Sequence, residues 1–188
     1  RIRAALKAQK SDVLVLSMLD EIAWTFNIRG TDMDFNPFVI SYAVITATHA
    51  TLFLDPSQHS DELGRYAKRM GFELATYDSV ANVLSTLTGT VMLDDGSASW
   101  WVERQLNQAK IQFSPSPVLI LKAVKNSVEQ SGMQQAHRWD AVILIKHAMW
   151  LEQDFKNTNE MALVHKLEDF RRENEAYRGQ SFRTISGY

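Results

Sequence analysis

The apolar positions change period several times along the chain. From Asp12 to Leu16 they run almost unbroken and include two valines, which predicts a short buried strand. Leu19, Ile22, Ala23 and Phe26 then fall on one stripe, which predicts a helix. Ser17 is its expected cap, Asp20 and Glu21 favour the positive end of its dipole, and Gly30 is its expected stop. Residues 1–10, basic and rich in Ala and Leu, read as a preceding helix. No period survives between Asn27 and Pro37, where Gly, Pro and two Asp predict a loop. Phe38 to Ala47 and Thr51 to Leu54, rich in β-branched and aromatic residues, read as a hairpin. Beyond it, helices at about 60–70, 78–87 and 98–109 alternate with strands at Phe72–Thr76, Thr90–Leu93 and Ile111–Phe113. That alternation predicts an α/β layer structure.

Ser114, Pro115, Ser116 and Pro117 form the expected domain boundary, since two prolines interrupt helix and sheet alike. Residues 118–125 are apolar with two lysines, and 127–155 read as one long helix. Asn157 with Glu160 has the spacing of a capping box and predicts a final helix ending near Tyr177. Within the long helix, Ala141 to Leu151 is apolar on nearly every side, with Lys146 and His147 as its polar members. Such a helix is buried on more than one face. Residues 118–188 supply too few helices to surround it. A sheet or another subunit outside this chain is therefore expected to cover it, and uncovered it should drive self-association.

Composition narrows the classes. The 188 residues are 45% hydrophobic and 22% charged, an ordinary globular balance that excludes disorder and fibrous repeats. Twenty Lys and Arg nearly cancel 22 Asp and Glu, leaving a net charge of −2, which argues against nucleic acid as a partner. The absence of cysteine removes disulfides and thiol chemistry. No apolar run approaches about 18 residues, so no membrane partner is expected. No signal peptide is visible, and an opening residue of Arg1 suggests part of a longer polypeptide.

Local motifs give little chemistry. His49, His59, His137, His147 and His165 include no close metal-binding pair. Asp32 with Asp34, and Asp94 with Asp95, are carboxylate pairs better explained by turns than by a cation. Glycine-rich phosphate loops and the Gly-x-Ser-x-Gly elbow are absent. Trp24, Trp100, Trp101, Trp139 and Trp150 read as packing residues, although adjacent Trp100 and Trp101 cannot share one narrow helical stripe. Arg29, beside Gly30 in the loop, is the polar group to single out, because a fixed guanidinium at a cleft recognises carboxylates. An ordinary loop ion pair is its plainer reading.

Ordered segments carry a family resemblance. The run Leu19 to Gly30, then Asn36 and Pro37 and the strand from Phe38 to Ile45, resembles the middle domain of the three-domain cytosolic Xaa-Pro aminopeptidases. Lys122 to Ser127, Gly132 with Met133, Ala136 with His137, and Asp140 to Val142 resemble the entry into their pita-bread catalytic domain. Glu168 to Asn174, Ser181 with Phe182, and Thr184 to Ser186 continue it to the chain end.

The resemblance implies a layered α/β middle domain over 1–117, like the creatinase N-domain. It implies that 118–188 hold the first helices of a pita-bread α+β domain, stopping before the metal ligands. The family cleaves between an N-terminal residue and a following proline, using two divalent ions, manganese or zinc, to activate water. Short peptides with proline second, a homodimer and a cytoplasmic setting are the implied partners and location. No catalytic or metal residue carries over, because the family's two Asp, one His and two Glu lie further downstream. Arg29 and Asn36 are the substrate-pocket candidates, on a loop resembling one that reaches the family's cleft. Arg183 departs from the usual residue at its place. The alternatives are a non-catalytic binding module of the same fold, as in a histone-chaperone subunit, and an unrelated α/β domain.

Overall fold

The computed structural model describes residues 1–187. They divide into two compact units, one Arg1–Val124 and one from Lys125 onward.

The first unit is built on one six-stranded sheet. Its strands are β1 (Val13–Leu16), β2 (Ser41–Thr46), β3 (Ala50–Leu54), β4 (Glu73–Thr76), β5 (Thr90–Leu93) and β6 (Lys110–Phe113). Their spatial order is β4-β3-β2-β1-β5-β6. The expected hairpin β2–β3 is antiparallel, and β2 also pairs antiparallel with β1. The remaining pairings, β3–β4, β1–β5 and β5–β6, are parallel. The helices are α1 (Ile2–Ala8), α2 (Leu19–Phe26), α3 (Asp61–Met70), α4 (Val80–Thr86), α5 (Trp100–Gln105) and α6 (Pro117–Ala123).

The period-2 alternation of a strand divides its side chains between two cores. Leu14 and Leu16 of β1, Ala43 and Ile45 of β2, and Leu52 and Leu54 of β3 enter one core with Leu6, Ile22, Phe26, Ala67 and Val118. Val13, Val15, Val44 and Phe53 enter the other, with Val80, Leu84 and Val102. Thus α1, α2, α3 and α6 cover one face, and α4 and α5 the other. Each fully buried aliphatic or aromatic side chain stabilises this arrangement by about 1.5–3 kcal/mol.

Several boundaries differ from the sequence expectation. No side chain caps α2, which starts after Met18, and the Ser17 hydroxyl instead donates to Ser97 O at 3.1 Å. The helix stops at Asn27, which is left-handed at φ 48°, before Gly30 is reached. The helix expected over 98–109 contracts to Trp100–Gln105, capped by Ser99. The compact unit continues past the Ser-Pro stretch, because Ser116 caps α6 and Pro117 and Val118 are buried.

In the second unit, α7 (Ser127–Asp154) is the long helix expected, opened by a reciprocal capping box between Asn126 and Glu129. The final helix, α8 (Glu160–Arg172), is capped by Asn159, whose side chain accepts from Ala162 N, and not by Asn157. It ends before Tyr177. Ile143 is fully buried, while Val142, Ile145 and Met149 are 48%, 61% and 57% exposed. The outward apolar face expected for α7 is present within this unit. No helix among the described residues is long and apolar enough to cross a membrane.

Candidate functional site

The loop that follows α2 builds the first candidate site. Left-handed Asn27 lets Ile28 N donate back to Ala23 O at 3.1 Å, closing the helix. Arg29 completes that end, its Nη1 donating to Ala23 O at 3.3 Å and Ile28 O at 2.7 Å. A cation suits the carbonyl-rich end of a helix. The chain then returns very close to itself. Gly30 N donates to Pro37 O, and a Cβ on Gly30 would lie 2.3 Å from Val39 Cγ2. Glycine is required there by the close approach.

Asp32 fastens the loop. Its Oδ2 accepts from Ile40 N and its Oδ1 from Gln58 Nε2, each at 2.9 Å. Both oxygens are therefore engaged in loop geometry, in keeping with the turn reading. Asn36 lies at the exposed tip and donates from Nδ2 to Asp34 O at 3.3 Å.

These contacts leave a cleft of about 300 Å³ lined by Asn27, Ile28, Arg29, Val39, Leu54, Gln58, Ser60, Leu63 and Tyr66. Ile28, Val39 and Leu54 are buried parts of the apolar floor. Polar groups form the rim, with the Tyr66 hydroxyl donating to Phe26 O at 2.9 Å. Arg29 borders this cleft and Asn36 does not, so the two pocket candidates are not brought together.

A second cluster had no sequence signal. Glu21 on α2 is 2% exposed and accepts at 2.6 Å from the hydroxyl of Ser116, also 2% exposed. That hydroxyl in turn accepts from Val118 N, and Ser116 N donates to Asp94 Oδ2 at 2.7 Å. Lys122 pairs with Asp20. Burial pushes the Glu21 carboxyl above its ordinary value. The Ser116 hydrogen bond opposes this, the charges of Asp20 and Asp94 add to it, and Lys122 opposes it. The remaining Asp94 oxygen accepts from Gly96 N, a turn contact as expected. The cluster pins α6 against α2 and the end of β5. Its members are as far apart in sequence as Glu21 and Ser116, which hid it from motif reading.

The second unit folds its last stretch over α8. Glu168 accepts from the Tyr177 hydroxyl at 2.7 Å, from Gln180 Nε2 at 3.0 Å and from Arg172 Nε at 3.2 Å. Burial pushes the Glu168 carboxyl up, but these hydrogen bonds outweigh it and hold the group below its ordinary value. Burial and the bond to Glu168 push Tyr177 up to about 12. Arg171 pairs with Asp140 through Nε at 2.9 Å and Nη2 at 3.4 Å. Phe182, Thr184 and Ile185 help line a neighbouring cleft of about 440 Å³.

Metal chemistry finds no donor set here. Among the described residues, no group of three or more His, Cys, Asp or Glu side chains is placed to hold an ion. Two of the histidines make local contacts: His147 Nε2 lies 3.1 Å from Leu163 O and His137 Nδ1 lies 2.8 Å from Met133 O. Trp24 packs against the first core. Trp100 and Trp101 are 70% and 42% exposed, and the Trp101 ring lies tilted by 36° against Tyr42 with centroids 5.9 Å apart.

Comparison with known proteins gives this geometry a setting. Residues 1–129 match the family model for the creatinase/prolidase N-terminal domain. A Sordaria macrospora protein named "Probable Xaa-Pro aminopeptidase P" is 37% identical over 98% of the chain, which covers 33% of that protein. A Laccaria bicolor protein of the same name is 35% identical over 99% of the chain and is covered to 30%. The chain thus spans about a third of the length of these relatives. The crystal structure of an X-prolyl aminopeptidase from Caenorhabditis elegans, described as a cytosolic enzyme with a di-nuclear active site, superposes with a TM-score of 0.89 at 25% identity. That match covers 98% of this chain and 32% of the other. A Xaa-Pro dipeptidase from Bacillus anthracis shares the fold, with a TM-score of 0.68 at 15% identity over 92% of the chain and 47% of its own.

Proposed function

The chain belongs to the creatinase/prolidase N-terminal domain family, and from that premise we propose that it is part of a longer, metal-dependent Xaa-Pro aminopeptidase. The supporting observation is the full-length match to proteins of that name, of which the chain spans about a third. In this reading residues 1–117, the bulk of the first unit, are the middle domain, and α6 at the start of the next domain packs against it. The catalytic domain begins after the Ser-Pro stretch, from residue 118, and its outward apolar α7 face is covered by the rest of that domain.

The enzyme would remove an N-terminal residue that precedes proline from short peptides. Two divalent ions, manganese or zinc, would supply Lewis-acid activation of water. In this reading residues outside this chain hold them; among the described residues no group of three or more His, Cys, Asp or Glu side chains is placed to do so. What this chain contributes is scaffold and pocket wall: Gly30 and Asp32 fix the loop, and Arg29 and Asn36 border the peptide's path. A cytoplasmic parent accords with the worm enzyme's description as cytosolic; a homodimeric parent belongs to the same proposal and rests on the family resemblance alone.

The test compares the chain alone with the full-length gene product on Arg-Pro-Pro in the presence of manganese. Release of arginine is expected from the full-length protein and not from the chain. Turnover by the chain, above a no-enzyme control and stoichiometric with it, refutes the assignment of the catalytic residues elsewhere. An inert full-length protein favours the non-catalytic binding module instead.

A further inference from the structure

The Arg29 cleft has the chemistry of a site in its own right. Its floor is apolar, from Ile28, Val39, Leu54 and Leu63, and a volume of about 300 Å³ is enough for one branched side chain and its backbone. Arg29 stands at its rim with one face of the guanidinium already anchored, since Nη1 is held by Ala23 O and Ile28 O. Among the described residues, the Nε–Nη2 edge of that fork takes no partner. This is the edge that accepts a carboxylate through two parallel hydrogen bonds. A guanidinium fixed at one nitrogen loses little freedom on binding.

The surrounding charges leave that edge available. Of the two carboxylates on the same loop, Asp32 already accepts from Ile40 N and Gln58 Nε2, and Asp34 does not line the cleft. Ser60, which also lines the cleft, caps α3 and places that helix's positive end beside it, partly offset by Asp61 and Glu62 in its first turn.

We propose that this cleft binds the C-terminal residue of a short peptide, with its carboxylate on the Nε–Nη2 edge of Arg29 and its apolar side chain on the Ile28, Val39, Leu54 and Leu63 floor. The proposal rests on the reading that the Arg29 loop borders a peptide's path. It adds that one end of the peptide is recognised by this chain without any metal.

The test uses the chain as it stands and needs no catalysis. Backbone amide shifts of the labelled protein are followed while N-acetyl-leucine, N-acetyl-leucinamide and free leucine are added at constant ionic strength. N-acetyl-leucine should give saturable shifts at Ile28, Arg29, Ser60 and Leu63. It should bind about tenfold more tightly than the amide, the order expected for a charge-assisted pair. Arg29→Gln should abolish that preference. Because Arg29 also closes α2, Leu63→Ala provides an independent check: it should weaken N-acetyl-leucine while preserving its advantage over the amide.

Equal binding of acid and amide, or no saturable shift at the cleft, overturns the proposal. Tighter binding of free leucine than of N-acetyl-leucine overturns the peptide assignment. Neither result touches the peptidase reading, which the full-length activity decides separately.

Discussion

The two units solve the problem of burial in opposite ways. In the first, every strand of the central sheet offers side chains to both faces, and helices cover both. Phe53, Leu14, Leu52 and Met92 are fully enclosed. In the second, two helices pack along one stripe, and among the described residues Ile143 is the buried apolar side chain. Its neighbours Val142, Ile145 and Met149 are about half exposed or more. A sheet clothed by helices on both faces closes its own core. A pair of helices cannot, because each has a far side. The difference teaches that compactness here belongs to the layering and not to the hydrophobic content of a segment.

The strongest way to break this contrast is to hollow out each unit. Phe53→Ala should cost the first unit about 3–5 kcal/mol, the range for removing a large buried side chain. Ile145→Ala should change stability by no more than about 0.5 kcal/mol, as at other exposed positions. Urea unfolding of the two variants measures both, and equal losses would remove the distinction.

A second test asks what the outer face of α7 does when nothing covers it. The chain should associate as its concentration rises and should bind a hydrophobic dye. Ile145→Lys combined with Met149→Lys should suppress both, read by sedimentation velocity and dye fluorescence. A monodisperse wild-type monomer at high concentration, without dye binding, contradicts the expectation.

The smallest effect is the most discriminating, because the two units should respond to pH with opposite signs. Glu21 is held above its ordinary value of 4.5, first by burial. The folded first unit therefore keeps this proton to higher pH than the unfolded chain does. Its stability falls as pH rises from the ordinary carboxylate value through the raised one. Glu168 is held below 4.5, because the hydrogen bonds from Tyr177, Gln180 and Arg172 outweigh burial. The second unit loses stability as pH drops from the ordinary value through the lowered one. Glu21→Gln should flatten the first slope and Glu168→Gln the second, followed by thermal melts from pH 3 to pH 8 with a probe in each unit. Slopes of the same sign would show that one of the two environments is misassigned.

The sequence made legible what local chemistry decides. The strands β1, β3 and β5 are short apolar runs between polar breaks, and each formed where its run lies. The apolar circumference of α7 likewise announced its unburied side. Boundaries set by single contacts were less visible. Asn27 ends α2 because asparagine tolerates the left-handed conformation, which composition cannot distinguish from a stop at Gly30. Ser17 has the identity of a cap, but its hydroxyl finds Ser97 instead. Ser116 and Pro117 look like linker in isolation and are core only because Glu21 and Asp94 meet them from distant parts of the chain. The candidate site follows the same rule. Arg29 was marked by its residue type and its loop, whereas the cleft beside it exists only once α3 brings Ser60, Leu63 and Tyr66 alongside.

The place of β1 in the sheet also has a temporal side. On one edge it pairs with β2, whose residues follow closely behind α2 and its loop. On the other it pairs with β5, and Asp12 is joined to Thr90 by two hydrogen bonds, one from Asp12 N to Thr90 O and one from Thr90 N to the Asp12 carboxylate. As the chain leaves the ribosome, β1 can zip to β2 early. Its second edge then waits for β3, α3, β4 and α4 to be synthesised before β5 can close it. For that interval the nascent chain carries an apolar strand with one open edge, the kind of surface that invites a chaperone or a neighbouring chain.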